Sequence, residues 1–79
     1  MEKTLDLFKK GEKGVIKIVQ GEGVVRKRLF DMGVTPGAQV ELIKKAPLGD
    51  PLEFKIRNYE LTLRKNEAKN VICVIKEDE

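Results

Sequence analysis

Arg26, Lys27 and Arg28 form the longest cationic run in the sequence and invite a phosphate-binding reading. On a helix, three consecutive residues fan over about 200°. They therefore cannot grip one phosphate backbone together. Arg28 falls beside the helix's apolar stripe, whereas Arg26 and Lys27 point away. A solvated face whose long stems cover the stripe's edges accounts for the same pattern. Other chemically capable groups are sparse. There is no histidine, so the commonest general base is missing. The single cysteine, Cys73, lies inside the apolar run Val71–Ile75, where a small buried thiol is expected rather than a nucleophile. Aspartates and glutamates are scattered over outer faces and turns, with no convergent pair. One cysteine and no histidine give no zinc or tight transition-metal site, and the tail Glu77-Asp78-Glu79 reads as solvated charge. Gly21-Glu22-Gly23 lacks both the spacing of a dinucleotide loop and the Lys-Ser/Thr of a P-loop. No catalytic residue, cofactor or metal ligand is expected.

Phe30 is the residue out of place. It lies about 140° around the helix from Val25, off the stripe of Val25, Leu29 and Met32. Two readings stay open. A loop such as Ala46–Asp50 could fold over it, or Phe30 and the equally unexplained Leu48 could form an apolar docking patch rimmed by Arg26 and Lys27, with Tyr59 nearby. A proline-peptide groove is disfavoured, because the chain has no tryptophan and one tyrosine. A nucleic-acid surface of Arg26, Lys27, Lys55, Arg57 and Lys65 is the alternative. The shortage of outward aromatics argues against base stacking.

These side chains need a scaffold. Leu52–Arg57 and Glu60–Arg64 alternate strictly between apolar and polar, the mark of half-buried strands. Leu52, Phe54 and Ile56 should face inward, followed by Leu61 and Leu63, with a hairpin turn at Asn58-Tyr59. Gly14–Val19 predicts a strand with Ile16 and Ile18 inside, and Gln39–Lys44 one led by Val40 and Leu42. Val71–Ile75, apolar almost throughout, should be covered on both faces or lie centrally. Glu22–Met32 predicts the one full helix, ended by Gly33 in the left-handed region. Pro36-Gly37 fits a type II turn, and Arg64–Asn70 one short helical turn. Five strands and an inserted helix make a mainly β fold, a small partly open barrel.

The 79 residues hold one core, and the net charge of +3 is too mild for a dedicated duplex binder. One cysteine allows no intrachain disulfide. The start reads as no signal peptide and no apolar run approaches the roughly 20 residues of a membrane helix. A cytoplasmic location is expected.

Four segments occur in order: Leu7–Glu12, Arg28–Gly37 (RLFDMGVTPG), Ala46–Pro51 (APLGDP) and Leu63–Ala68 (LRKNEA). Together they resemble the ferrous iron transport protein A (FeoA) family over nearly the whole chain. The resemblance implies a single SH3-like domain over residues 1–79. It also implies a cytosolic accessory of the membrane ferrous iron transporter FeoB, whose cytosolic part carries a GTPase domain. The same module resembles the C-terminal domain of iron-dependent repressors. Here it stands without a winged-helix half, which disfavours a DNA-binding repressor. The family is described as metal-binding, but with this residue set no site is assigned. On this reading Arg26, Lys27, Phe30, Leu48 and Tyr59 are the partner-binding residues, while direct ferrous iron binding is the remaining alternative.

Overall fold

The alternating segments become strands of one antiparallel sheet. In the computed structural model, which describes residues 1–76, these are β1 (Glu2–Thr4), β2 (Lys13–Val19), β3 (Gln39–Lys45), β4 (Leu52–Ile56), β5 (Tyr59–Leu63) and β6 (Val71–Ile75). Their spatial order is β1-β6-β2-β3-β4-β5. A helix, α1 (Gly23–Asp31), is inserted between β2 and β3, and a single turn, α2 (Lys65–Ala68), precedes β6. The barrel is thus built from six strands rather than five. The additional one, β1, has only three residues and owes its existence to pairing with β6, Glu2 opposite Val74 and Thr4 opposite Ile72.

The β2–β3 ladder is short. Lys13, Gly14 and Val15 pair with Glu41, Val40 and Gln39. Beyond Val15 the strands part company: Ile16–Val19 run on with β6, and Leu42–Lys45 run on with β4. The sheet therefore splays into two halves that face each other across the core. Phe8, Leu42, Phe54, Leu63 and Val71 are sealed there, with the Phe8 and Phe54 rings edge to face at 6.4 Å. A fully buried Leu or Phe of this kind contributes roughly 1.5–3 kcal/mol.

Pairing corrects two readings of the sequence and qualifies a third. The register of β2 against β6 slips between Ile16 and Ile18, so a bulge puts Ile16 and Val19 inside and turns Ile18 outward. The hairpin turn is Arg57-Asn58, one residue earlier than the pattern suggests. Both residues have positive φ (51° and 72°), as a two-residue type I′ turn requires, and Tyr59 opens β5 opposite Ile56. Strand β6 does lie inside the sheet, between β1 and β2, but its outer face is open at Val74.

The turn chemistry is otherwise as read. Ala38 N–H donates to Thr35 O at 3.1 Å across Pro36-Gly37, and Gly37 takes φ 92°, completing a type II turn. Glu67 caps α2 by accepting the Arg64 N–H at 2.9 Å.

Candidate functional site

Helix α1 is fixed at both ends by backbone chemistry. Glu22 precedes it in extended conformation and its carbonyl accepts Arg26 N–H at 2.9 Å. At the other end Gly33 has φ 89° and donates to Phe30 O, while Val34 N–H donates to Leu29 O, both at 2.9 Å. That pair of bonds is a Schellman ending, and its usual hydrophobic contact is supplied by Leu29 and Val34, both buried. Leu29 anchors the helix in the core, with Val25, Phe30 and Met32 packed at its margin.

The cationic run is taken up by the protein itself. Arg26 donates from Nε to Val19 O at 3.0 Å, and its guanidinium lies 4.6 Å from the Phe30 ring centroid. Phe30 is half-buried, packed against the core's margin with a cation over its ring face. Lys27 pairs with Asp31 one helical turn on, at 3.0 Å and on the exposed surface. Arg28 reaches Glu67 of α2 at 2.9 Å. The three cations fan to three different partners, as helical geometry requires.

Tyr59 is half-exposed and its hydroxyl donates to Met32 O at the end of α1. Its neighbour Arg57 donates to Thr35 Oγ1 at 2.6 Å, so the β4–β5 hairpin is clipped to the segment leaving the helix. Leu48 is 94% exposed in a different place. Its loop is closed by Gly49 N–H donating to Ala46 O at 2.7 Å, and it meets α2 where the Asp50 carboxylate accepts Lys65 N–H at 3.1 Å. The structure thus brings Arg26 and Phe30 together, joins Tyr59 to the helix terminus and leaves Lys27 on the outer helix face. Among the described residues, no hydrogen bond, ion pair or ring contact joins Leu48 to Phe30; the link between their elements runs through α2 and the Arg28–Glu67 pair.

Two further surfaces escape the sequence patterns. On the outer face of β2 and β6, Val15 stands opposite Val74 and Ile18 opposite Ile72, a small apolar patch flanked by the Lys17–Glu2 ion pair at 2.5 Å. The other is a groove of about 440 Å³ across β2, β3 and β4, with Lys13, Lys55, Arg57 and Lys76 around Glu41 and Gln39. The nucleic-acid alternative is dispersed: Lys55 and Arg57 line this groove, whereas Arg26 and Lys27 are engaged on α1 and Lys65 starts α2.

Cys73 is fully buried, and burial pushes its thiol up to about 12, which keeps it protonated and unreactive at neutral pH. Among the described residues, no three of the His, Cys, Asp and Glu side chains converge into a metal-sized cluster, and no helix is long and apolar enough to cross a membrane. The run Glu77–Glu79 lies outside the described residues.

This geometry recurs in known proteins. A structure from Clostridium acetobutylicum, a FeoA-like protein, superposes with a TM-score of 0.90 at 31% identity, covering 99% of this chain and 91% of that one. The zinc complex of FeoA from Stenotrophomonas maltophilia, described as a prokaryotic SH3 domain protein, superposes with a TM-score of 0.76 at 28% identity over 92% of this chain and 88% of its own. In sequence, the Fe(2+) transport protein A/Fe(2+) transporter FeoB fusion protein of Porphyromonas gingivalis is 38% identical over 61 residues. That match covers 77% of this chain and 7% of the much longer relative. The profile of the FeoA domain matches residues 3–75, a span that takes in every strand bar the first residue of β1, both helices and the Schellman and type II turns, and the chain accordingly belongs to the FeoA domain family.

Proposed function

We propose that this protein is a non-enzymatic accessory of ferrous iron transport that acts by touching the FeoB transporter. The observation that carries this reading is the Porphyromonas gingivalis relative, in which the two proteins are named as one fusion. Linking two modules raises their effective concentration to roughly the millimolar range, so a weak contact suffices in a fusion. The contact itself is made by the domain's own surface. The Stenotrophomonas maltophilia protein has been put forward as a ferrous iron transport activating factor, which agrees in direction.

The contact surface is the helix side. Phe30 under Arg26 offers a rigid apolar and cationic spot, Tyr59 an adjoining ring, Lys27 a peripheral charge and Leu48 an exposed apolar tip. Aromatic and arginine anchors are the residue types that dominate protein interfaces. To modulate the transporter, this surface must bind one of its states more tightly than another; equal affinity would shift nothing.

Titration of the isotope-labelled chain with the transporter's GTPase domain, and with intact transporter, tests the reading in each nucleotide state. Amide shifts should gather at Arg26–Asp31, Leu48 and Tyr59, and Leu48→Asp should weaken binding without unfolding a residue already 94% exposed. Flat spectra in every state overturn it.

A further inference from the structure

We infer that the groove across β2, β3 and β4 is a second binding surface, and that its ligand is an acidic stretch of polypeptide. The groove has a volume of about 440 Å³, room for a few residues of extended chain. Its walls carry Lys13, Lys55, Arg57 and Lys76 against the single carboxylate of Glu41. Among the described residues, no ion pair within 4.0 Å engages any of these four cations. Four cations against one carboxylate leave the groove net positive, and such a surface attracts an anionic ligand.

Register explains why the charges gather. Glu41 faces Lys13 across one ladder and Lys55 across the other, so the carboxylate stands between two lysines on three adjacent strands. Lys76 is held beside Lys13 by its own N–H, which donates to Lys13 O at 2.9 Å. Arg57 stands at the far end, its turn position fixed by the bond to Thr35 Oγ1.

The central carboxylate selects the class of anion. A nucleic-acid backbone presents negative charge alone, and Glu41 would repel it at the groove's centre. A peptide presents acidic side chains to the lysines and backbone N–H groups that Glu41 and the Gln39 carbonyl side chain can accept. The lining also lacks the aromatic rings on which bases would stack. The inference is independent of the transporter reading, whose surface is α1 with Tyr59 and Leu48, and it holds for whichever polypeptide supplies the acidic stretch.

The test is a heteronuclear titration of the full chain with a capped peptide of alternating glutamate and glycine, at ~10 mM salt, where the Debye length is about 30 Å. A variant with Glu77→Gln, Asp78→Asn and Glu79→Gln is titrated in parallel, because losing three negative charges raises the net charge that an acidic peptide meets. Shifts should appear at Lys13, Glu41, Lys55, Arg57 and Lys76 in both proteins, more strongly in the variant, and weaken as salt rises to 0.15 M. Exchanging Lys13 and Lys55 for glutamate should lower affinity about tenfold or more, since like charges facing each other across an interface are strongly disfavoured. Flat spectra in both proteins overturn the inference. So do shifts confined to α1, or inorganic phosphate or a thymidine oligonucleotide moving the same residues as strongly as the peptide. Failure here leaves the α1 titration unaffected.

Discussion

The basic run on α1 and the basic groove on the sheet carry similar charge and differ in what holds it. On α1 each cation is used within the fold: Arg26 by the Val19 carbonyl and the Phe30 ring, Lys27 by Asp31, Arg28 by Glu67. In the groove, Lys13, Lys55 and Lys76 come from separate strands or their ends and have no ion-pair partner among the described residues. Consecutive residues on a helix diverge by about 100° each, so a run in sequence disperses in space. Residues opposite one another on neighbouring strands stand about 5 Å apart, so distant positions converge. Charge that looks concentrated in the sequence is structural here, and charge that looks scattered is available.

The largest test of this contrast removes what seats the helix. Leu29 is fully buried and closes the Schellman ending with Val34. Leu29→Ala should cost about 2–5 kcal/mol, as buried leucine truncations do, in urea unfolding followed by circular dichroism. Shifts on α1 and at Tyr59 should accompany the loss, and the groove's amides should move little, because β2, β3 and β4 hold one another by their own ladders. A loss below about 0.5 kcal/mol would mean that α1 is a peripheral appendage and not a rigid surface.

How much of this was legible beforehand follows the same division. Period-two alternation placed Phe54, Ile56 and Leu63 on the inner face, and they are buried. Gly33 and Pro36-Gly37 announced their turns because few residues tolerate those backbone angles. These are local properties, written in neighbouring residues. The outward turn of Ile18 depends on a bulge against β6, and the shift of the hairpin to Arg57-Asn58 depends on Ile56 meeting Tyr59. Arg57 at positive φ is a poor local choice, and its bond to Thr35 helps offset the cost. The site followed suit. Phe30 beside Arg26 was within reach of helical spacing, i to i+4, whereas the groove needed the β2–β3–β4 order before its lysines could be seen as neighbours.

A smaller effect sharpens the contrast through paired substitutions. Arg26→Ala removes a hydrogen bond to a main-chain carbonyl and a cation over an aromatic face, and should cost about 1 kcal/mol. Lys55→Ala removes an exposed cation without an ion pair and should stay within about 0.5 kcal/mol of the parent. Equal losses in the two variants would erase the distinction between engaged and available charge. A cost at Lys55 larger than at Arg26 would reverse it.

The smallest effect is a pH dependence carried by a carboxylate on the engaged side of the ledger. Glu12 accepts the Lys9 N–H at 2.9 Å and the Lys3 ammonium at 3.0 Å, and the backbone bond followed by the lysine's contact and charge holds its carboxyl below the usual 4.5 despite some desolvation. Because the folded value is lower, the unfolded chain takes up the proton first as pH falls. The stabilisation from this group is present above about pH 4.5 and is lost as pH drops through the folded value. Glu12→Gln should therefore flatten the acid limb of a stability–pH profile and leave the slope above pH 6 unchanged. Glu2 is shifted the same way, first by its hydrogen bond from Lys17 and then by that lysine's charge, but the pair lies in solvent at the surface and salt should screen its share. Repeating the profile at 1 M salt separates them: the part that survives belongs to Glu12, whose main partner is a backbone amide, and a profile that collapses entirely would assign the whole slope to surface charge.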